Sequence, residues 1–282
     1  MAFENCTLAA NTKFKLTKWG RFREPGWHIL PAFGGAIWNA GGMVVNDLFA
    51  VVYEDENLLV INKPAGLVCH PTKNGERSSL IGRTRLYLPE GGSTHLVNRL
   101  DRETSGLVVV AKNSVVAGEL GKILEARAMQ KEYHAIVHGH VSANTGLIDQ
   151  PLGRDEQSAV AVKDRVRPDG AAAQTEFAVK RRFERGGRPF SLLKILPRTG
   201  RKHQIRIHLA FHGHPIVGDK LYGGDEDLYL ALVQDRLTAE QRDRLIFEHH
   251  ALHADTLKFE WRNRCWNLTC EPEPWFTQFC RG

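Results

Sequence analysis

Asp101 lies in the segment Asn98-Arg99-Leu100-Asp101-Arg102-Glu103-Thr104-Ser105-Gly106-Leu107, which runs directly into the apolar stretch Val108–Ala111. A carboxylate flanked by two arginines stays ionised, because neighbouring positive charge favours the charged form. An ionised carboxylate can act as a nucleophile or as a general base. Thr104 and Ser105 add hydroxyls, and Gly106 adds a position at which a ligand backbone can approach closely. A reactive group on a loop held by a rigid strand is a frequent catalytic arrangement. The same residues also describe a surface salt-bridge loop beside a core strand, and on residue types alone both readings stay open.

A second grouping is basic. Arg198, Arg201, Lys202 and Arg206 fall in one stretch with no acidic residue among them. That composition suits phosphate contacts and salt-dependent binding to a polyanion. The formal net charge of +6 and the sequence pI of about 9.1 point the same way. His208 and His212 stand four residues apart, and with His203 and His214 they invite a metal reading. No Glu stands between them as H-E-x-x-H requires, and the arginines nearby would repel a divalent cation. Core-facing or RNA-facing histidines, and no metal, are therefore expected. Cys6, Cys69, Cys265, Cys270 and Cys280 are scattered with no C-x-x-C pair, which reads as free thiols in a reducing compartment. The apolar runs are far shorter than the roughly 20 residues needed to cross a bilayer. Met1–Lys18 has no apolar segment of the secretory kind, so the expected location is the cytoplasm.

These side chains need elements to hold them. Residues 1–48 are rich in Gly, Trp and Pro and weakly periodic; with Lys13, Lys15, Lys18, Arg21 and Arg23 they read as an irregular basic arm. Residues 49–282 form the regular domain. Strands are expected at Leu58–Ile61, Gly106–Ala111, Tyr133–Val137, Gln174–Val179, Leu192–Leu196, Thr256–Trp261 and Trp266–Cys270. Helices are expected at Ser78–Leu88, from an Asn113 cap to about Arg127, and at His203–Phe211 with Gly213 as a stop. Strands outnumber helices and do not alternate strictly with them. That predicts an α+β fold with a mixed, mainly antiparallel central sheet and flanking helices.

The Asp101 segment resembles the signature of the RluA family of RNA pseudouridine synthases, H-R-L-D-x-x-T-S-G-L followed by an apolar strand and A-K. The leading His of that signature is Asn98 here. Further blocks follow in the family's order. Asn57–Leu67 resembles an opening strand with a K-P-x-G turn, and Lys131-Glu132-Tyr133 a K-x-Y element. Thr199–Leu209 resembles T-G-R-x-H-Q-I-R-x-H; then come Pro215–Asp219 with Tyr222-Gly223, and Leu252-His253-Ala254 as L-H-A.

The resemblance implies the pseudouridine synthase fold and an isomerase acting on ribosomal or transfer RNA in the cytoplasm as a monomer, with no membrane partner. Uridine becomes pseudouridine with no redox change and no group lost, so no cofactor is implied. Asp101 would be the catalytic carboxylate, Arg206 the guanidinium paired with it, and Tyr133 the aromatic platform for the target uracil. Arg99, Arg102, Arg198, Arg201 and Lys202 would contact RNA, with Thr104, Ser105, Gly106 and Leu252 supporting the site. A non-catalytic RNA-binding member of the same fold is the alternative. Loss of the Asp, Tyr or Arg would mark it, and all three are present.

Overall fold

Val108, Val109 and Val110 are consecutive apolar residues, and a strand made of them must be covered on both faces. The computed structural model, which describes residues 48–71, 75–89 and 93–281, places them in β4 (Ser105–Ala111), buried at every position. Successive side chains of a strand point to opposite faces. Leu107, Val109 and Ala111 accordingly pack with Leu58 and Val60 of β2 (Leu58–Lys63) against Val116 and Leu120. Val108 and Val110 pack with Leu59 and Ile61 against Leu80. The expected arm over 1–48 lies outside the described residues except for Leu48, whose carbonyl accepts from Arg83 Nη1 at 2.7 Å.

The main sheet has ten strands. Its path runs β1 (Ala50–Glu54), β2, β4, β11 (Leu252–Trp261), β5 (Gln130–His138), β10 (Arg188–Pro197), β9 (Gln174–Arg185) and β6 (Thr145–Asp149). Off this path, β3 (His95–Leu96) pairs with β4 and β12 (Arg264–Thr269) with β11. A separate two-stranded sheet joins β7 (Leu152–Arg154) to β8 (Asp164–Val166). The β4–β11 pair is parallel and the other strand pairs are antiparallel. The expected mixed, mainly antiparallel α+β arrangement is the one adopted.

Local signals explain the flanking helices. Ser79 accepts from the Gly82 N–H and starts α1 (Leu80–Tyr87), and Asn113 accepts from the Val116 N–H and starts α2 (Ser114–Glu125). α3 (Gln204–Phe211) ends as expected at Gly213, whose φ of +83° lets the His214 N–H reach the Leu209 carbonyl at 2.9 Å. Three later helices go beyond those expected from the sequence: α4 (Asp227–Val233), α5 (Ala239–Leu245), which opens on a Thr238–Gln241 capping box, and α6 (Pro274–Arg281). α6 is held by aromatic contacts, with the Phe279 ring 5.1 Å from Phe190 and 4.8 Å from Phe247. Cys69, Cys270 and Cys280 carry free thiols. Cys265 is disulfide-bonded, which corrects the expectation of free thiols throughout; spacing along the chain does not report which sulfurs meet in space.

The parallel contact between β4 and β11 depends on Gly106. It pairs with Ala254 at φ +114°, and a Cβ there would lie 2.2 Å from the Ala254 carbonyl oxygen. The close approach at this glycine is made by the chain's own β11. Gly106→Ala combines a steric overlap with a backbone conformation that L residues avoid. It is expected to cost more than about 3 kcal/mol, read as a lowered denaturant midpoint or loss of folded protein.

Candidate active site

Asp101 stands at the mouth of β4 on a loop fastened from beneath. The buried Lys63 ammonium donates to the carbonyls of Pro64 at 2.9 Å, Leu67 at 2.8 Å and Arg102 at 3.1 Å. It thereby ties the Lys63–Gly66 turn to the Asp101 loop. Burial lowers the Lys63 pKa to about 8, only partly offset by Cys69, Glu273 and Asp101. The Leu100 N–H and carbonyl both meet Cys69 Sγ at 3.4 Å, and Arg102 Nε donates to the Gly66 carbonyl at 3.2 Å. Behind the loop, Thr104 Oγ1 lies 2.7 Å from His250 Nε2, and Lys220 Nζ donates to both Glu103 oxygens at 3.1 and 2.9 Å.

Asn98 is buried, accepting from the Val109 N–H at 2.8 Å and donating to the Leu107 carbonyl at 3.0 Å. This position joins loop to strand through one donor and one acceptor, and it needs no charge.

Arg206 reaches the same point from α3. Its Nη1 donates to Asp101 Oδ2 at 3.0 Å, while Nε and Nη2 hold Asp219 in a fork at 2.7 and 2.9 Å. Asp219 is fixed further by the N–H groups of Leu221 and Tyr222, and the Arg206 guanidinium lies over the Tyr222 ring at 5.0 Å. Burial opposes ionisation of Asp101, but Arg206, with His203 and His250 behind it, overcomes that and holds the carboxyl below its ordinary range. Asp219 is shifted the same way against its own burial, again by Arg206. One guanidinium serving two carboxylates compensates both charges only in part. Asp101 remains an anion facing the cleft.

That cleft encloses about 600 Å³ when the solvent at its open mouth is included. Tyr133 of β5 and Leu252 of β11 form part of its wall. Tyr133 pairs across the sheet with Ala254 and Ile195, and its hydroxyl has no hydrogen-bond partner among the described residues. Burial, with a further push from Asp101, raises the phenol above its ordinary range. On the far wall, the loop before α3 is shaped by Gln204. Its side-chain oxygen accepts from Thr199 Oγ1 at 2.7 Å and the Arg201 N–H at 3.1 Å, and its nitrogen donates to the Gln174 carbonyl and Thr175 Oγ1. His203, at φ +55°, sets Nε2 3.9 Å from Asp101 Oδ2 and Nδ1 3.0 Å from the Tyr222 hydroxyl. Burial and Arg206 lower its pKa despite Asp101.

Residues 57–211 match the family model described as RNA pseudouridylate synthase, a span that contains Asp101, Tyr133 and Arg206. The chain belongs to this family. Ribosomal large subunit pseudouridine synthase D of Vibrio cholerae is 36% identical over 226 residues, covering 79% of this chain and 65% of that protein. The uncharacterized RNA pseudouridine synthase YhcT of Bacillus subtilis is 38% identical over 181 residues, covering 63% and 59%. The chain thus spans about three-fifths of the length of these curated relatives. Among solved structures, human RNA Pseudouridylate Synthase Domain Containing 1 superposes with a TM-score of 0.64 at 27% identity, covering 80% of this chain and 84% of that one.

In this pseudouridylate synthase family member, Asp101, Tyr133, Arg206, Thr104 and Leu252 share one cleft with Arg99 and Arg201, whose side chains are exposed. The other residues expected at the site lie elsewhere. Ser105 is buried with its hydroxyl on His253 Nδ1 at 2.9 Å, and Gly106 faces β11. Arg102 binds the Gly66 carbonyl, Arg198 is paired with Glu176, and Lys202 with Asp164 at 3.0 Å. The basic stretch is therefore partly neutralised by acids distant in sequence. His208 engages Thr175 Oγ1 and the Gln150 carbonyl through its two ring nitrogens. Asp219, His203 and Lys131 stand in segments singled out from sequence, but none of them was assigned a role at this site. Asp219 stands in the Pro215–Asp219 block, but its pairing with Arg206 is a property of the folded chain.

Proposed function

We propose that the chain isomerises specific uridines of ribosomal or transfer RNA to pseudouridine in the cytoplasm, with Asp101 as the essential carboxylate. The observation that carries this reading is an ionised carboxylate held at 3.0 Å by Arg206 in a cleft that also contains an aromatic side chain. The bond from ribose C1′ to base N1 breaks, the base turns over, C5 joins C1′ and gives up its proton, and N1 takes one up. Atoms and oxidation state are conserved, so the chemistry calls on no cofactor or metal. Asp101 either attacks C1′ or removes the C2′ proton. The target base must leave its stack to reach it. Tyr133 offers it a stacking face worth roughly 1–3 kcal/mol. Arg99 and Arg201 at the rim take phosphates, giving salt-dependent affinity. All these groups come from one chain, as a monomer requires.

The test is tritium release from RNA carrying 5-tritiated uridine, because C5 exchanges its hydrogen for the bond to C1′. The ribosomal pool comes first, since one relative's name places its action on the large ribosomal subunit; transfer RNA comes second. No release from either pool by a folded chain that binds RNA would favour the non-catalytic alternative.

Tyr133→Phe keeps the ring and removes the hydroxyl. It is expected to leave RNA affinity unchanged while slowing the late step in which the C5 proton departs, so that an enzyme-bound intermediate accumulates in single-turnover time courses. Because its phenol is held protonated, the hydroxyl can serve only as a relay. Unchanged turnover would remove that role.

A further inference from the structure

Two cations line the cleft in different electrostatic states, Arg206 buried and Lys131 half-buried. Arg206 is matched by Asp101 and Asp219. Lys131 is not matched: it lines the same cleft and has no ion-pair partner among the described residues. Lys131 and Tyr133 are two apart on β5 and therefore share a face of the strand. The adjacent acid, Glu132, projects to the opposite face, where Lys194 at 2.6 Å and Lys258 at 3.1 Å hold it. Nothing on the cleft side neutralises the Lys131 amine, and burial alone shifts it below the ordinary lysine range.

An unmatched ammonium in a partly dry site gains most when negative charge appears beside it, which is differential stabilisation of a transition state. The isomerisation creates such a charge. As the C1′–N1 bond breaks, its electron pair goes to N1 and spreads onto O2 and O4 of the base. We propose that Lys131 is a further catalytic residue, whose ammonium stabilises the departing uracil anion beside Tyr133. This rests on the reaction proposed above. Lys131 transfers no proton: the charge on the base is consumed when C5 bonds to C1′, and the C5 proton that then leaves is balanced by one taken up at N1. A phosphate partner is disfavoured by position, since the exposed Arg99 and Arg201 occupy the rim while Lys131 is half-buried beside the aromatic wall.

The experiment compares the wild-type chain, Lys131→Met and Lys131→Arg on a short transcript spanning the nucleotide that the wild type modifies. The transcript is made with uridine or with 5-fluorouridine at that position. Single-turnover loss of the intact nucleoside and RNA affinity are both measured. Lys131→Met is expected to slow the uridine reaction on the order of 100-fold, as for loss of one preorganised donor to a developing anion. RNA affinity should stay near wild type, and Lys131→Arg should retain most of the rate. The deficit should shrink on 5-fluorouridine, whose fluorine stabilises the leaving anion by itself. Thermal stability of Lys131→Met should be unchanged or higher, since a desolvated charge is removed. Equal deficits on the two transcripts would overturn the proposal, leaving a merely structural lysine. Weakened RNA binding at an unchanged rate would also overturn it and assign Lys131 to phosphate. No product from the wild type on either RNA pool would remove the underlying reaction instead, and the proposal with it.

Discussion

Asp101→Asn is expected to abolish pseudouridine formation, by on the order of 10⁴-fold or more, in a protein that remains folded and still binds RNA. The reason lies in what the substitution preserves. An Asn oxygen can still accept from Arg206 Nη1, and Arg206 keeps its fork to Asp219 at 2.7 and 2.9 Å. The contacts that fasten the loop, from Lys63 to the Arg102 carbonyl and from Leu100 to Cys69, involve no atom of the Asp101 side chain. Only the negative charge and its nucleophilic or basic oxygen disappear. Tritium release from 5-tritiated uridine reads the chemistry, and circular dichroism with RNA affinity reads the rest. The wild-type rate should be flat through neutral pH and fall only below the ordinary aspartate range, because Arg206 outweighs burial in setting the Asp101 charge. An Asn variant that still releases tritium at the wild-type rate would place the essential carboxylate elsewhere.

The Asp101 loop is legible in the sequence because its parts are local: an acid between two arginines, hydroxyls, a glycine and then a continuous apolar strand. The strand's burial and the caps at Ser79 and Asn113 are legible for the same reason. What β11 does to that loop is not. Ser105 and Gly106 look available to a ligand until β11 arrives from far along the chain, engaging the hydroxyl through His253 and the glycine face through Ala254. Charge behaves likewise. Arg198 and Lys202 look free until Glu176 and Asp164 are brought beside them by β9 and β8. Asp219 is the inverse case, an acid given no role from the sequence that takes both arms of the Arg206 fork. A helix as short as α6 spans only eight residues, too few for its apolar period to stand out, and Phe279 is held by Phe183 of β9 and Phe190 of β10, both distant in sequence.

Replacing Arg206 should strike stability and chemistry together, and the two can be separated. In Arg206→Met the fully buried Asp219 carboxylate loses its counter-charge, leaving only the N–H groups of Leu221 and Tyr222. Removing one partner of a buried pair costs about 3–5 kcal/mol. The pH dependence has a definite sign. In the wild type, Arg206 overcomes burial and holds Asp101 and Asp219 below the ordinary range. Their ionisation therefore contributes stability that is present above the unfolded aspartate value near 3.9 and lost as pH falls through the lower folded values. In the Met variant burial acts without that compensation, so both carboxyls rise and the protonated forms are favoured. The stability gap between wild type and variant should be widest at neutral pH and narrow on acidification, as denaturant midpoints at pH 7 and pH 5 would show. Arg206→Lys restores a charge without the planar fork that grips Asp219 and reaches Asp101 at once. It should recover part of the stability while the single-turnover rate stays about 10²- to 10³-fold low, with the acid limb of the rate shifted upward as Asp101 loses its guanidinium. A lysine variant with the wild-type rate and an unmoved acid limb would show that Asp101 does not depend on Arg206 for its charge.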